Sequence, residues 1–169
     1  MQTSDFASII LGIDPGFKRI GFGAVGQAHS RFSYLGAGML RTPHETHNSP
    51  EDLARSLDAI LEQYRPALCA IEKVYFGQNK TSVLGVSEIR GMFLLHLNTH
   101  HVPVIEVTPL EVKSMVCGYG RADKAAVRKI ITAMFPETRI IKSKDAIDGI
   151  AIAIAGFYKQ STSERLAAA

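Results

Sequence analysis

Four acidic side chains stand where an apolar context makes a charge costly. Asp14 ends the run Ser-Ile-Ile-Leu-Gly-Ile from Ser8 to Ile13, and Glu72 ends Ala-Leu-Cys-Ala-Ile from Ala67 to Ile71. Asp145 and Asp148 open the segment Asp-Ala-Ile-Asp-Gly-Ile-Ala-Ile-Ala-Ile-Ala. Residues three apart on a helix share a face, so Asp145 and Asp148 aim at one spot. Carboxylates gathered together raise each other's pKa and destabilise the fold. A multivalent cation is the usual way to keep several of them ionised, and an all-oxygen donor set suits Mg²⁺ or Mn²⁺ rather than Zn²⁺. Two such ions about 4 Å apart activate a water and stabilise a leaving oxygen in phosphodiester hydrolysis. Each acid also has a plainer reading. Asp14 before Pro15-Gly16 suits an ordinary turn. Asp145 suits a helix N-cap, Asp148 a favourable charge in the first turn, and Glu72 a solvated strand end. The reading as one site rests on all of them lying at element ends on one edge of a sheet, where ligands of α/β sheets gather.

The elements that must position these groups follow from the hydrophobic pattern. Ser8 to Ile13 reads as a buried strand, and Arg19 to Val25 with Phe32 to Leu40 as two more, forming an antiparallel meander. Ser49-Pro50 starts a helix in which Leu53, Leu57, Ile60, Leu61 and Tyr64 recur at helical spacing until Pro66. Ala67 to Ile71 is a second buried strand. Lys80 to His100 reads as a long helix whose stripe (Val83, Leu84, Val86, Ile89, Phe93 and Leu97, widened by Met92, Leu94 and Leu95) exceeds what one core contact needs. Part of it is therefore available to a partner chain. Val104 to Val107 is a short strand, Pro109 to Val116 and Asp123 to Phe135 are shorter helices, and a last helix runs from near Asp145 to about Lys159. A meander followed by alternating strands and helices predicts an α/β three-layer domain. The 169 residues form a single domain on this reading, with an ordered core over about 8–160 and no internal repeat or linker.

Charge is placed unevenly. The chain carries +3 overall, but Glu111 to Lys144 holds eight basic residues against three acids, leaving the remainder at −2. A basic lobe on an otherwise near-neutral protein fits a polyanionic partner, and equally fits a solvated helical face. Cys69 and Cys117 sit apart in apolar contexts, as in a reduced cytoplasmic protein. No basic leader precedes an apolar run, and no stretch approaches the roughly 18 apolar residues of a membrane span.

Some patterns carry less than their letters suggest. Gly21-Phe-Gly23-Ala-Val-Gly26 matches the dinucleotide fingerprint, but it lies inside a strand and opens no helix. His96 and His100 have metal-ligand spacing on a helix, with no third ligand apparent in the sequence. Glu106 lies within a strand and receives no role. There is no nucleophilic-serine elbow and no phosphate loop ending in Lys-Ser or Lys-Thr.

The ordered set Ile10-Leu-Gly-Ile-Asp14-Pro-Gly, Ala70-Ile-Glu72-Lys-Val-Tyr75-Phe76, Val112-Lys113, Gly118-Tyr-Gly-Arg-Ala-Asp-Lys124 and Asp145-Ala-Ile-Asp148 resembles the RuvC family of Holliday junction resolvases, from about Ile9 to Tyr158. The resemblance implies an RNase H-like fold, a mixed five-stranded sheet with helices on both faces. It also implies a homodimer that nicks two opposing strands of a four-way DNA junction, in recombination and repair, using two Mg²⁺ ions per site with Mn²⁺ as a substitute. A branch-migration motor is a further partner implied by it. Asp14, Glu72, Asp145 and Asp148 fall on the family's catalytic, metal-holding carboxylates. Lys113 and Lys124 fall on its basic residues near the scissile DNA, and Tyr75 on an aromatic that touches bases near the crossover, with Phe76 beside it. An exposed aromatic stacks on an unpaired base, worth about 1–3 kcal/mol, and one of Tyr75 and Phe76 is expected to pack inward instead. The helix from Lys80 to His100 is the candidate dimer interface, and a twofold dimer suits a twofold junction. On this basis Asp14 is expected to bridge both ions, Glu72 and Asp148 to hold one each, and Asp145 to complete the second site.

The chain departs from the family pattern at Gly149, where alanine is usual, at the 76–80 loop, and at Gly85, Ser87 and Glu88; Thr42 to Asn48 has no assigned role. Glycine inside a helix costs about 1 kcal/mol unless close packing requires it. Three other readings are open at this level. A ribonuclease acting on RNA–DNA hybrids would share the fold but not the junction preference. A junction-binding module without catalysis would gain nothing from four clustered acids. An actin-like ATPase or sugar kinase needs a second large domain for which this chain is too short.

Overall fold

The computed structural model describes residues 6–28, 31–45, 48–73 and 80–167, with the side chains of 80–83 outside that description. A mixed five-stranded sheet has the order β3-β2-β1-β4-β5, formed by β1 (Ser8–Asp14), β2 (Arg19–Ala28), β3 (Arg31–Arg41), β4 (Leu68–Glu72) and β5 (Val104–Val107). The meander β1-β2-β3 is antiparallel, whereas β4 joins β1 and β5 joins β4 in parallel. This is the expected sheet, and it places the C-terminal ends of β1 and β4 side by side.

Side chains alternate between the two faces of a strand, and this sorts the core into two layers. Ile9, Leu11 and Ile13 of β1 pack with Leu53, Leu57, Ile60 and Leu61 of α1 (Pro50–Tyr64) and with Ile89, Phe93 and Leu97 of α2 (Lys80–Thr99). Ile10 of β1, with Leu68 and Ala70 of β4, packs on the opposite face. There it meets α3 (Pro109–Cys117), α4 (Lys124–Met134) and α5 (Lys144–Ala167). Helices therefore cover both faces, as expected.

The helix starts are set by local chemistry. Ser49 accepts from the Asp52 backbone N–H at 3.1 Å while the Asp52 carboxylate accepts from the Ser49 N–H at 2.8 Å, with Pro50 in the first turn. Thr108 and Glu111 form the same reciprocal cap on α3, and Asp123 caps α4 through the Ala126 N–H at 2.7 Å. Gly118 ends α3 in the left-handed region at φ 82°. Two features differ from expectation. A 3-10 helix, Pro136–Ile140, follows α4. The last helix continues past Lys159 to Ala167, with a Gln160 to Glu164 hydrogen bond of 2.9 Å joining successive turns on its exposed side. No helix among the described residues is long and apolar enough to cross a membrane.

The seat of α5 on the sheet decides where its acids lie. A Cβ on Gly12 would stand 2.1 Å from the Gly149 carbonyl oxygen, and one on Gly149 would stand 2.5 Å from the Phe22 carbonyl carbon. Gly149 thus belongs in the helix because main chain meets main chain there, which answers its helix-propensity cost. The same contact explains the false dinucleotide signal: Gly21 and Gly23 are the β2 positions over which Asp145 and Ile150 pass, and they lie in a strand as expected.

Candidate active site

Strand alternation directs two of the acids toward α5. Asp14 and Glu72 share the parity of Ile10 and Ala70, which face α5, and the β1–β4 register that pairs Gly12 with Ala70 and Ile13 with Ile71 leaves the two acids at one sheet edge. Asp145 lies over Gly21, the β2 residue that pairs with Asp14. Asp148 follows one turn later, so Asp14, Asp145 and Asp148 have carboxylate oxygens all within 4.8 Å of one another. Glu72 is not a member of that tight trio, although its charge is felt by the same site. Ser143, not Asp145, caps α5, its Oγ accepting from the Ala146 N–H at 3.2 Å. The N-cap reading of Asp145 is therefore set aside, and its carboxylate belongs to the cluster.

The electrostatics carry the cost of this arrangement. Burial, reinforced by the neighbouring Asp148 and Asp145 charges, pushes the Asp14 carboxyl up to about 6, against a lowering pull from Lys124. Burial and the Asp14 and Asp148 charges push Glu72 up to about 7, opposed by Lys124 and Lys113. Partly buried carboxyls this far from their ordinary range mark a site built for something other than stability. The Lys124 ammonium donates to Asp148 Oδ2 at 2.5 Å. Burial works against the charged lysine, but the bond to Asp148 and the charges of Asp148, Asp14 and Glu72 outweigh it and hold its pKa above the usual value. A cationic group already rests on the acidic cluster, as a bound metal ion would.

Lys124 is the first residue of α4, placed there by the Asp123 cap. Lys113 lies on α3, half-buried, near enough for its charge to act on Glu72. Tyr75 and Phe76 lie outside the described residues. Two basic residues were not singled out by the sequence reading: Arg128 and Lys144 join Lys124, Ile147 and Asp148 around a cavity of about 220 Å³ beside the acids. Their one signal was membership of the basic Glu111–Lys144 segment.

The segment from Thr42, unassigned from sequence, buttresses the turn after Asp14. Thr42 is fully buried, its Oγ1 donating to the Phe17 carbonyl at 2.6 Å. The His44 ring stacks on Phe17 with centroids 4.4 Å apart, and its Nε2 lies 3.4 Å from Glu88. Gly85 leaves room for this stack, since a Cβ there would fall 2.3 Å from the Phe17 ring. Departures at Gly85 and Glu88 therefore belong with Phe17 and His44 as one local packing solution. Glu106, left without a role, pairs with Arg90 of α2.

Residues 10–156 match the family described as Crossover junction endodeoxyribonuclease RuvC. Relatives of that name include one from Alkaliphilus oremlandii, 39% identical over 149 residues and covering 86% of this chain and 90% of the relative. Another, from Rubrobacter xylanophilus, is 38% identical over 166 residues, covering 96% and 92%. Among solved structures, Thermus thermophilus RuvC superimposes with a TM-score of 0.75 at 23% identity, over 91% of this chain and 96% of that one. The same protein in complex with Holliday junction substrate gives 0.79 at 22% identity, over 92% and 97%. The fold is RNase H-like, and the chain belongs to the RuvC family of crossover junction endodeoxyribonucleases.

Proposed function

We propose that this chain is a single-domain endonuclease that resolves four-way DNA junctions by metal-dependent hydrolysis of phosphodiester bonds. The observation that carries the reading is the convergence of Asp14, Asp145 and Asp148 within 4.8 Å beside a Glu72 whose carboxyl is pushed up to about 7. The donor set is all oxygen, which fits Mg²⁺, with Mn²⁺ as a substitute. Asp14, Glu72, Asp145 and Asp148 would hold two ions. When bound, the ions supply Lewis acidity and a water of lowered pKa to the scissile phosphate.

The chain's own groups do the rest. Asp14 and Glu72 are presented by strands locked into the sheet, and Asp145 and Asp148 by a helix pressed onto it, so little reorganisation accompanies metal loading. Lys124 shares Asp148 in the metal-free protein and is placed to offset charge that develops on the phosphate. Lys113 adds positive potential on the Glu72 side. Arg128 and Lys144 line the adjoining cavity and offer contacts to flanking backbone phosphates. Tyr75 and Phe76 are proposed as base-contacting residues on the family resemblance.

A homodimer is part of the proposal. Ile89, Phe93 and Leu97 of α2 are core, whereas Leu84 and Leu95 are 65% and 70% exposed. Leu95 also lines an apolar groove between α1 and α2, together with Leu53, Leu57 and Met92. That surface suits a second copy, which would set two active sites on opposing strands of a twofold junction. Action within the cytoplasm and cooperation with a branch-migration motor follow from the family alone.

The test is cleavage of a labelled synthetic four-way junction in Mg²⁺, beside Asp14→Asn. Paired symmetric nicks, lost in the variant and absent on linear duplex, are expected. Binding without cleavage in Mg²⁺ or Mn²⁺ would identify a non-catalytic junction binder, and equal cutting of an RNA–DNA hybrid would identify a ribonuclease.

A further inference from the structure

His96 and His100 acquire in the fold the third ligand that the sequence does not display. His96 is in the last turn of α2 and His100 is the first residue past its end. The His100 N–H still donates to the His96 carbonyl at 3.1 Å, so both imidazoles project from one face, before the chain turns away at His101 in the left-handed region at φ 56°. Their rings lie 4.7 Å apart between centroids. Asp58 of α1 is 38 residues before His96 in the chain, yet its Oδ1 lies 2.6 Å from His96 Nε2 and 2.9 Å from His100 Nε2. All three ligand atoms fall within 4.8 Å of one another. This cluster shares no residue with the Asp14, Asp145 and Asp148 trio, and its two helices pack on the opposite face of the sheet from α5.

We infer that Asp58, His96 and His100 form a second metal site, of a different class from the nuclease centre, which takes Zn²⁺ or a similar borderline divalent transition ion. Two imidazole nitrogens and one carboxylate oxygen are a preferred donor set for Zn²⁺ and a poor one for Mg²⁺, which favours oxygen alone. Bond lengths of about 2.0–2.1 Å around a tetrahedral ion place ligand atoms roughly 3.3 Å apart. The two contacts to Asp58 must therefore open by only about 0.4–0.7 Å to admit it. The fourth position is left to water, since His100 and Asp58 retain about two-fifths of their side-chain surface in solvent.

The backbone is prepared for this geometry. Leu57, next to Asp58, is 1% exposed, and Leu97, next to His96, is fully buried, so the core clamps both helices beside the ligands. A carboxylate bonded to two imidazoles is stable without an ion. What distinguishes a ligand site is that both Nε2 atoms converge on one oxygen, so that one ion replaces both hydrogen bonds. Metal there ties α1 to the C-terminal end of α2, beside the apolar groove in which His96 and Thr99 take part.

The experiment uses the full chain in saturating Mg²⁺, which occupies oxygen-only sites and leaves this one open. Co²⁺ is titrated as a spectroscopic stand-in and displaced with Zn²⁺, on the wild type, His100→Ala, Asp58→Asn and the nuclease-site variant Asp148→Asn. One equivalent of Co²⁺ with the intense visible absorption of a four-coordinate nitrogen–oxygen site is expected for the wild type and for Asp148→Asn. His100→Ala and Asp58→Asn lose at least tenfold in affinity. Zn²⁺ at about 100 times its wild-type dissociation constant is expected to raise the wild-type Tm by about 5–10 °C and the His100→Ala Tm by about half that or less. Junction cleavage by His100→Ala in Mg²⁺ at the wild-type rate verifies that the variant is folded. Equal Co²⁺ spectra and equal Zn²⁺ shifts in the wild type and His100→Ala overturn the site, as does a signal that disappears only in Asp148→Asn.

Discussion

Gly12→Ala should unseat the helix that carries half of the acidic cluster. Gly12 lies in the middle of β1, bonded to β2 on one side and β4 on the other, so the strand cannot move away. An added Cβ would stand 2.1 Å from the Gly149 carbonyl oxygen and 2.3 Å from the Ala153 backbone nitrogen, where ordinary contact begins at 3.4 Å. Helix α5 must therefore back off by about 1 Å along a face that buries Ile150, Ala151, Ala153 and Ile154. Overpacking of this kind costs about 1–3 kcal/mol when side chains absorb it. Here both neighbours are main chain, so the upper end applies, offset by less than about 1 kcal/mol from replacing glycine in a strand. A net loss of about 2–3 kcal/mol lowers Tm by about 5–10 °C in a chain of this size. The same retreat carries Asp145 and Asp148 away from Asp14, and a displacement of about 1 Å at reacting groups costs on the order of 100-fold in rate. Thermal melting gives the first quantity, and single-turnover cleavage of a four-way junction well below Tm gives the second. A Gly12→Ala protein that melts within about 2 °C of the wild type and cuts at the wild-type rate refutes the seating of α5 described here.

The other expectations concern charge. Asp14 at about 6 and Glu72 at about 7 hold their protons more tightly in the folded than in the unfolded chain. The metal-free protein is therefore most stable below about pH 4 as far as these groups are concerned, and loses that stability as pH rises through 6 and 7. The loss is on the order of 2–4 kcal/mol after allowance for solvent screening; melting at pH 4 and pH 8 measures it, and Mg²⁺ at pH 8 should reverse it. Asp14→Asn removes one of the clustered charges, so it should raise the metal-free Tm at pH 8 while abolishing cleavage, and a lower Tm would count against the repulsion argument. Lys124→Met should slow cleavage about 100-fold or more with little change in junction affinity, read by comparing single-turnover rate with binding. Lys144→Ala should weaken binding to junctions of any sequence and reduce the slope of log affinity against log salt by about 1, with the cleavage rate at saturation kept.

What could be read along the chain was whatever depends on near neighbours or on an ordered set of motifs. The strand run before Asp14, the Ser49-Pro50 start of α1 and the i, i+3 pair Asp145 and Asp148 are local patterns, and each produces its element by a short-range rule. Because helical and strand periods differ, the same patterns announced a meander and then alternating elements, and so the fold class. Local pattern could not say which face of the sheet each acid would occupy. That was decided by the β1–β4 register and by the glycine contacts of Gly12, Gly21 and Gly149, which let α5 ride against the sheet until three carboxylates met. It could not pass the N-cap of α5 from Asp145 to Ser143, a choice between two good capping residues two positions apart. Nor could it join Asp58 to His96 and His100, or Phe17 to His44 and Glu88, since those partners are separated in sequence and meet only when α1, α2 and the β1–β2 turn close over one core. Short-range chemistry chooses the elements, whereas the juxtaposition of distant groups is set by burial, register and the few places where main chain can touch main chain.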